Sequence, residues 1–312
     1  MKRRVRALLI VGLLGTLTFS LFQLILIERD YRQGEAIYQD ALDRYVTKES
    51  QRPGAVDAGG SLLDLSEEGK EDNSASTTAL LQSAAEVEVD FAALKKVNSD
   101  IIGWIMIEQT VINYPLLQGS DNQKYLTTAY NGQSNRQGSI FMDCNHSPDF
   151  SNRHTIIYGH YMKNGSMFGA LANYSGQSFY DSHRYFYILT EDGLARYEIV
   201  SAYTADVGGM TYQRAFPESG GYEAFLGYIM GQSQIESGAE LTAADQIVTL
   251  STCTPSSSRQ LRFVVHGRLC VDGQTDLEDD EAPAFSQFPG KQLRSNRNIV
   301  KTPPAGCMTG PR

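Results

Sequence analysis

Cys253 closes the apolar, β-branched run Ile247-Val248-Thr249-Leu250-Ser251-Thr252 and is followed by the polar stretch Thr254-Pro255-Ser256-Ser257-Ser258. A strand that stops at such a loop delivers its last side chain to an open mouth, which is how a thiol nucleophile is presented. The usual fate of a free cysteine is burial as a small hydrophobe, and position alone does not separate the two. A thiolate near neutral pH needs a cation or a proton acceptor beside it. Five histidines compete for that place: His146, His154, His160, His183 and His266. Arg262 stands nine positions after Cys253 across a Ser-rich loop, so two adjacent strands put guanidinium and thiol at the same end. There it would bind an oxyanion or a substrate carbonyl. Arg259 and Arg268 fit the same account. His266 lies four residues beyond Arg262 on one strand, about 13 Å away at roughly 3.3 Å per residue, too far to share that site easily. Spacing does not choose among the other four histidines.

The chain has 312 residues and a formal net charge of -9, which excludes a global nucleic-acid-binding surface. Its four cysteines, Cys144, Cys253, Cys270 and Cys307, form no CxxC pair, which argues against a zinc ribbon or a dense disulfide framework; at most two bridges are possible, and none is required. Asp143-Cys144-Asn145-His146 carries a Cys-x-His spacing, but no further ligands lie nearby in sequence, so no metal centre is expected. One Trp against 17 Tyr, 13 Phe and 28 Gly is the balance of a β-rich domain with many turns.

The elements that must position these residues follow from periodicity. Short runs rich in β-branched and aromatic residues recur at 104–107, 111–117, 138–142, 154–158, 185–189, 195–204, 247–251 and 261–271, and predict a barrel or a sandwich. A helix is expected at Tyr222–Gln232 after Gly220-Gly221, and a shorter one near Met167–Ala172. Helical spacing also marks 87–97, so the folded domain is expected to start near Ala85. Before it, residues 7–27 carry no charge and are long enough to cross a bilayer core of about 30 Å. Lys2, Arg3, Arg4 and Arg6 precede this stretch, whereas a mixed-charge flank follows it, so the N-terminus is expected in the cytoplasm and the rest outside. The run lacks the short core and A-x-A exit of a cleaved signal and reads as an uncleaved anchor. The chain then divides into a cytoplasmic end (1–6), an anchor (7–27), a stalk helix with a flexible acidic linker (28–84), a catalytic domain (85–271) and a disordered tail (272–312).

At the residues just named the chain resembles the sortases, and the class B sortases most closely. The matching pieces are Asp100-Ile101-Ile102-Gly103-Trp104-Ile105; Ile112 to Gln118 with Asp121-Asn122; Gly138 to Asp143; Tyr158-Gly159-His160 with Gly165-Ser166-Met167-Phe168; Thr249-Leu250-Ser251-Thr252-Cys253; and Arg262-Phe263-Val264-Val265. The resemblance implies a mainly β fold: a closed eight-stranded barrel with N-terminal helices and a helix inserted before the cysteine strand. It also implies a cysteine transpeptidase without metal or organic cofactor. Cys253 then attacks a sorting signal in secreted proteins, His160 moves the proton, Arg262 holds the oxyanion or substrate, and Thr252 assists the oxyanion site. A peptidoglycan precursor or a pilin supplies the acceptor amine, and the enzyme sits in the cell membrane with its catalytic domain outside.

Two alternatives compete with that reading. Other extracytoplasmic cysteine peptidases place their motifs differently: no Ser-His-Gly-Cys run exists here, and papain-like enzymes put the cysteine before the histidine. A non-catalytic surface scaffold would be favoured by a missing nucleophile, yet all three site positions are filled.

Overall fold

The structure is a computed structural model and describes residues 2–48, 87–256 and 258–270. The acidic linker and the C-terminal tail expected from composition lie outside the described residues.

Helix α1 (Lys2–Tyr45) is continuous from the apolar stretch into the charged one. Its outer half is reinforced by pairs one turn apart, with Arg32 on Glu28 and Arg44 on Asp40. The expected stalk segment does not stand clear of the domain. Ile37, Tyr38 and Ala41 are buried, and the Tyr38 hydroxyl donates to the Gly138 carbonyl. The Tyr38 ring meets Tyr114 edge-on at 5.2 Å. Gly34 permits this contact, because a Cβ there would lie 2.3 Å from the Gln137 side chain. The folded unit therefore takes in the end of α1 as well as the residues from 87 onward.

Strand β1 (Val46–Lys48) follows and pairs antiparallel with β2 (Val87–Val89). Residues 87–89 fall inside the span expected to be helical, and the difference has a physical cause. Val-Glu-Val alternates with strand period and has a distant partner that local periodicity cannot see. Helix α2 (Phe91–Val97) begins only after Asp90, whose carboxylate accepts from the Ala93 amide at 2.8 Å as a side-chain cap.

Eight strands close the barrel: β3 (Ile101–Met106), β4 (Asn113–Leu117), β5 (Ile140–Met142), β6 (His154–Tyr158), β7 (Tyr185–Thr190), β8 (Gly193–Asp206), β9 (Ile247–Cys253) and β10 (Leu261–Leu269). Their order is β10-β8-β7-β3-β4-β5-β6-β9. This is the closed barrel expected above, with each expected run becoming a strand. Two pairings are parallel, β4 with β5 and β6 with β9. A 3-10 turn (Gly169–Ser175) and helix α3 (Gln177–Ser182) join β6 to β7, while helix α4 (Gly221–Gly231) lies before β9 as expected.

The β9 side chains alternate between two cores. Val248 and Leu250 face the main core with Trp104, Phe141, Phe186 and Val265. Ile247 faces the second core, where Tyr222, Phe225 and Ile229 of α4 pack on Val264 and Tyr203. Each such buried aliphatic or aromatic side chain contributes about 1.5–3 kcal/mol, so α4 clamps the β9–β10 ladder firmly. By the same alternation Thr249, Ser251 and Cys253 stand on the α4 side of β9. The strand directions bring Cys253, Arg262, Asp206, Asn113, Ile140 and the end of β6 to one end of the barrel. Ile101, Leu117 and the β7–β8 turn lie at the other.

Candidate active site

Strand β9 buries its first six residues and exposes the seventh, Cys253. Its thiol is free and open to solvent rather than filling a core. Arg262 is the residue directly opposite Cys253 on β10, and opposed residues of an antiparallel pair point to the same face with Cβ atoms about 4.5–5.5 Å apart. The register thus separates Arg262 from the other two arginines. Arg259 belongs to the connecting loop. Arg268 sits opposite Ile247 near the far end of β10 and pairs with Glu198. Arg262 itself is buried, and its Nη1 donates to the carbonyls of Arg259 at 3.1 Å and Leu261 at 2.9 Å, which fixes the plane of the guanidinium.

His160 arrives from the other side. Tyr158 pairs with Ser251 across the parallel β6–β9 seam, and the Gly159 amide donates to the Ser251 carbonyl at 3.1 Å. Two further residues along each chain bring His160 level with Cys253. Gly159 is required at the turn, since a Cβ would meet the Phe168 ring at 2.6 Å. The Phe168 amide donates to the His160 carbonyl at 3.0 Å, so the Gly165-Ser166-Met167-Phe168 loop folds back onto the histidine backbone. His160 Nε2 donates to the Leu126 carbonyl at 2.6 Å. In the neutral ring the lone pair is then on Nδ1. Burial pushes this imidazole below its ordinary pKa, and the Leu126 bond offsets that only in part, so the neutral form is favoured.

Thr252 does not join this group through its side chain. It is opposite Phe263, on the reverse face of β9 from Cys253, and its buried hydroxyl has no hydrogen-bond partner among the described residues.

Several residues that spacing did not single out brace the site. Tyr212, Gln213 and Arg214, on the segment after β8, are tied in succession to the wall beneath. The Tyr212 hydroxyl bonds Ser251 Oγ at 2.8 Å; the Gln213 carbonyl accepts from His154 Nδ1 at 2.7 Å; and Arg214 Nη1 donates to Asp143 Oδ2 at 2.9 Å. Burial pushes the Tyr212 hydroxyl up to about 12, and the bond to Ser251 and the Arg262 charge oppose the rise. Fully buried Asp143 also accepts from Tyr158 at 2.9 Å. Burial alone would raise its carboxyl. The Asn145 hydrogen bonds and the Arg214 charge outweigh that and hold it below the usual carboxylate range.

The proton positions beneath this segment follow from the partners. Because His154 Nδ1 donates to a carbonyl, its Nε2 accepts from the Thr249 hydroxyl at 2.7 Å. Thr249 Oγ1 accepts in turn from His266 Nδ1 at 2.8 Å, which leaves His266 Nε2 buried and without a partner among the described residues. Thus His266 does sit apart from Arg262, opposite Thr249. Burial drives the pKa of His154 to about 3, that of His146 to about 4 and that of His266 well below its usual value. All three are depressed below an unfolded value of about 6.5, so stability is full above that pH. It falls as the unfolded chain takes up protons that the folded chain refuses, at roughly 1.4 kcal/mol per pH unit for each such histidine. The midpoint of thermal unfolding is therefore expected to drop steeply between pH 6.5 and pH 4.5. A midpoint that stays flat across that window would contradict the neutral assignment.

A family model described as a sortase domain matches residues 105–270. Sortase B of Listeria monocytogenes is 38% identical over 187 residues, which cover 59% of this chain and 75% of that protein. The crystal structure of sortase B from B. anthracis in complex with AAEK1 aligns at TM-score 0.59 and 34% identity, covering 77% of this chain and 98% of that one. The Staphylococcus aureus sortase B-substrate complex aligns at TM-score 0.55 and 35% identity, covering 58% and 84%.

Proposed function

The chain belongs to the sortase family, in its class B, and is a cysteine transpeptidase; from that premise we propose that Cys253, His160 and Arg262 carry the reaction on a sorting signal of secreted proteins. The observation that carries this assignment is the register of three neighbouring strands, with Arg262 opposite Cys253 and His160 level with both.

His160 Nδ1 accepts the thiol proton as the sulfur attacks the scissile carbonyl. The carbonyl electron pair moves to oxygen, where Arg262 supplies fixed positive charge that does not titrate. Collapse breaks the C–N bond, and His160 returns the proton to the leaving amine. The thioester left on Cys253 is then attacked by an incoming amine, whose proton passes to His160 and on to the departing sulfur. Atoms and protons balance over the cycle, and no metal or organic cofactor enters it. The acceptor amine belongs to a wall precursor or a pilin. Residues 7–27 anchor the enzyme in the cell membrane with the N-terminus in the cytoplasm and the catalytic unit outside. The single long apolar helix of the described residues supports that anchor.

The test is mass spectrometry of the full chain in detergent, incubated with a pool of candidate sorting-signal peptides, with and without a glycyl amine. An acyl adduct on the Cys253 peptide, discharged onto the amine, is the expected result. Hydrolysis alone, unchanged by amine, would refute transfer.

Arg262 allows a sharper experiment. If it donates two directed bonds to the oxyanion or substrate, Arg262→Lys keeps the charge but loses the planar fork. Turnover should then fall almost as far as in Arg262→Ala, while Arg259→Ala and Arg268→Ala retain most of theirs. Near-complete rescue by lysine would reduce the role of Arg262 to its field.

A further inference from the structure

We propose that α1 is a rigid spacer that holds the catalytic end of the barrel facing the bilayer, so that Cys253 works on reactants confined to the membrane surface. This rests on the reading of residues 7–27 as a membrane anchor, and it adds a direction to it.

The contacts along α1 act as a ruler. Counted from Ile27 at about 1.5 Å per residue, Asp30 lies about 4.5 Å along the axis, Glu35 about 12 Å, Tyr38 about 16 Å and Tyr45 about 27 Å. The near levels touch two places, the segment 136–139 and the loop that follows His160. Asp30 pairs with Arg136 at 3.7 Å, and the Tyr31 carbonyl accepts from Gln137 Nε2 at 3.1 Å. Glu35 accepts from Asn164 Nδ2 at 2.8 Å, in the loop that follows His160. Tyr38 reaches Gly138 and Ser139, just before the Ile140 end of β5. These residues flank the end of the barrel that carries Cys253 and Arg262.

Farther along, the order reverses sense. The Tyr45 carbonyl accepts from the Asp90 amide at 2.9 Å, and Asp90 starts α2, which feeds the Ile101 end of β3 at the opposite end of the barrel. The near turns of α1 therefore hold the catalytic end and the far turns hold the other. A helix without a break transmits that order from the bilayer to the barrel. The near edge also exposes Lys163, a cation that suits an anionic headgroup layer. With about 12 Å between the apolar stretch and the loop after His160, a peptide or amine held at the surface reaches the site without leaving the membrane.

The experiment uses the full chain in vesicles of phosphatidylcholine and phosphatidylglycerol. A fluorophore is attached through Lys163→azidophenylalanine at the catalytic end, or through Asp192→azidophenylalanine in the β7–β8 turn at the other end. Lipids with a quencher on the headgroup should quench the first label several-fold more than the second. Inserting a flexible Gly-Ser segment between Arg29 and Asp30 should abolish that contrast. Transfer to an amine displayed on a lipid headgroup should exceed transfer to the same amine in solution, and the insertion should shrink that ratio. Equal or reversed quenching on chains that sediment with the vesicles would overturn the orientation. A ratio untouched by the insertion would overturn the spacer role. Chains that fail to sediment at all would instead remove the anchor, and the inference with it.

Discussion

Cys253→Ala is expected to leave a folded chain that transfers nothing. The sulfur forms the bond that carries the acyl group, and no neighbouring side chain on that face of β9 offers a replacement: Ser251 is buried and engaged with Tyr212, and Thr252 faces the other way. Truncation at an exposed strand end costs little, within about 0.5 kcal/mol for an ordinary surface change. The melting temperature at pH 7 should therefore be unchanged while the acyl adduct disappears. Turnover above a few per cent of the parent enzyme would show that the nucleophile lies elsewhere.

His160→Ala should lower turnover by about 10² to 10⁴, the range of general acid–base catalysis. The variant should still be alkylated at Cys253, only more slowly at neutral pH, because the proton acceptor is gone but the thiol remains exposed. The same change at His146, His154 or His266 removes a buried ring from a packed wall and should lower stability, with mild effects on turnover per folded molecule. His183, which stacks on Phe179 and bonds its carbonyl, should matter least. The folded fraction read from a melting curve normalises turnover, so the two kinds of loss separate. A greater fall in per-site turnover at any of those four histidines would move the proton-transfer role to it.

Much of this architecture was legible because strands announce themselves through local composition. Runs such as His154–Tyr158 and Ile247–Cys253 are bounded by polar or glycine-containing turns and needed no partner to be recognised. Residues 87–89 carry helical spacing for the opposite reason: their strand character is set by pairing with 46–48, beyond the reach of any window. The candidate site divides in the same way. Cys253 was visible from its place at the end of an apolar run. The choice of Arg262 over Arg259 depends on cross-strand register, which nine residues of spacing leave open, and the resemblance to a family supplied it before the ladder did. Tyr212 and Arg214 carry no signal, and Asp143 stands out only within a matching piece, without its role as their anchor. Their meeting depends on the chain returning over β6 and β9 after β8, and separations of 39 and 71 residues carry no period.

The parallel seam between β6 and β9 also fixes when the enzyme becomes an enzyme. Strand β9 lies between β6 and β10, with His154 opposite Ile247, and the barrel stays open until this late segment is seated. Parallel pairings between distant segments form slowly, because the loop must be closed before any contact repays it. A chain emerging N-terminus first thus carries His160 for some time before Cys253 and Arg262 exist as part of a wall. Its nucleophile is assembled by the closing step of folding, and a partly folded chain carries Cys253 without the Arg262 and His160 neighbours that the closed barrel gives it. The rate at which Cys253 acquires its reactivity after dilution from denaturant then becomes a clock for barrel closure.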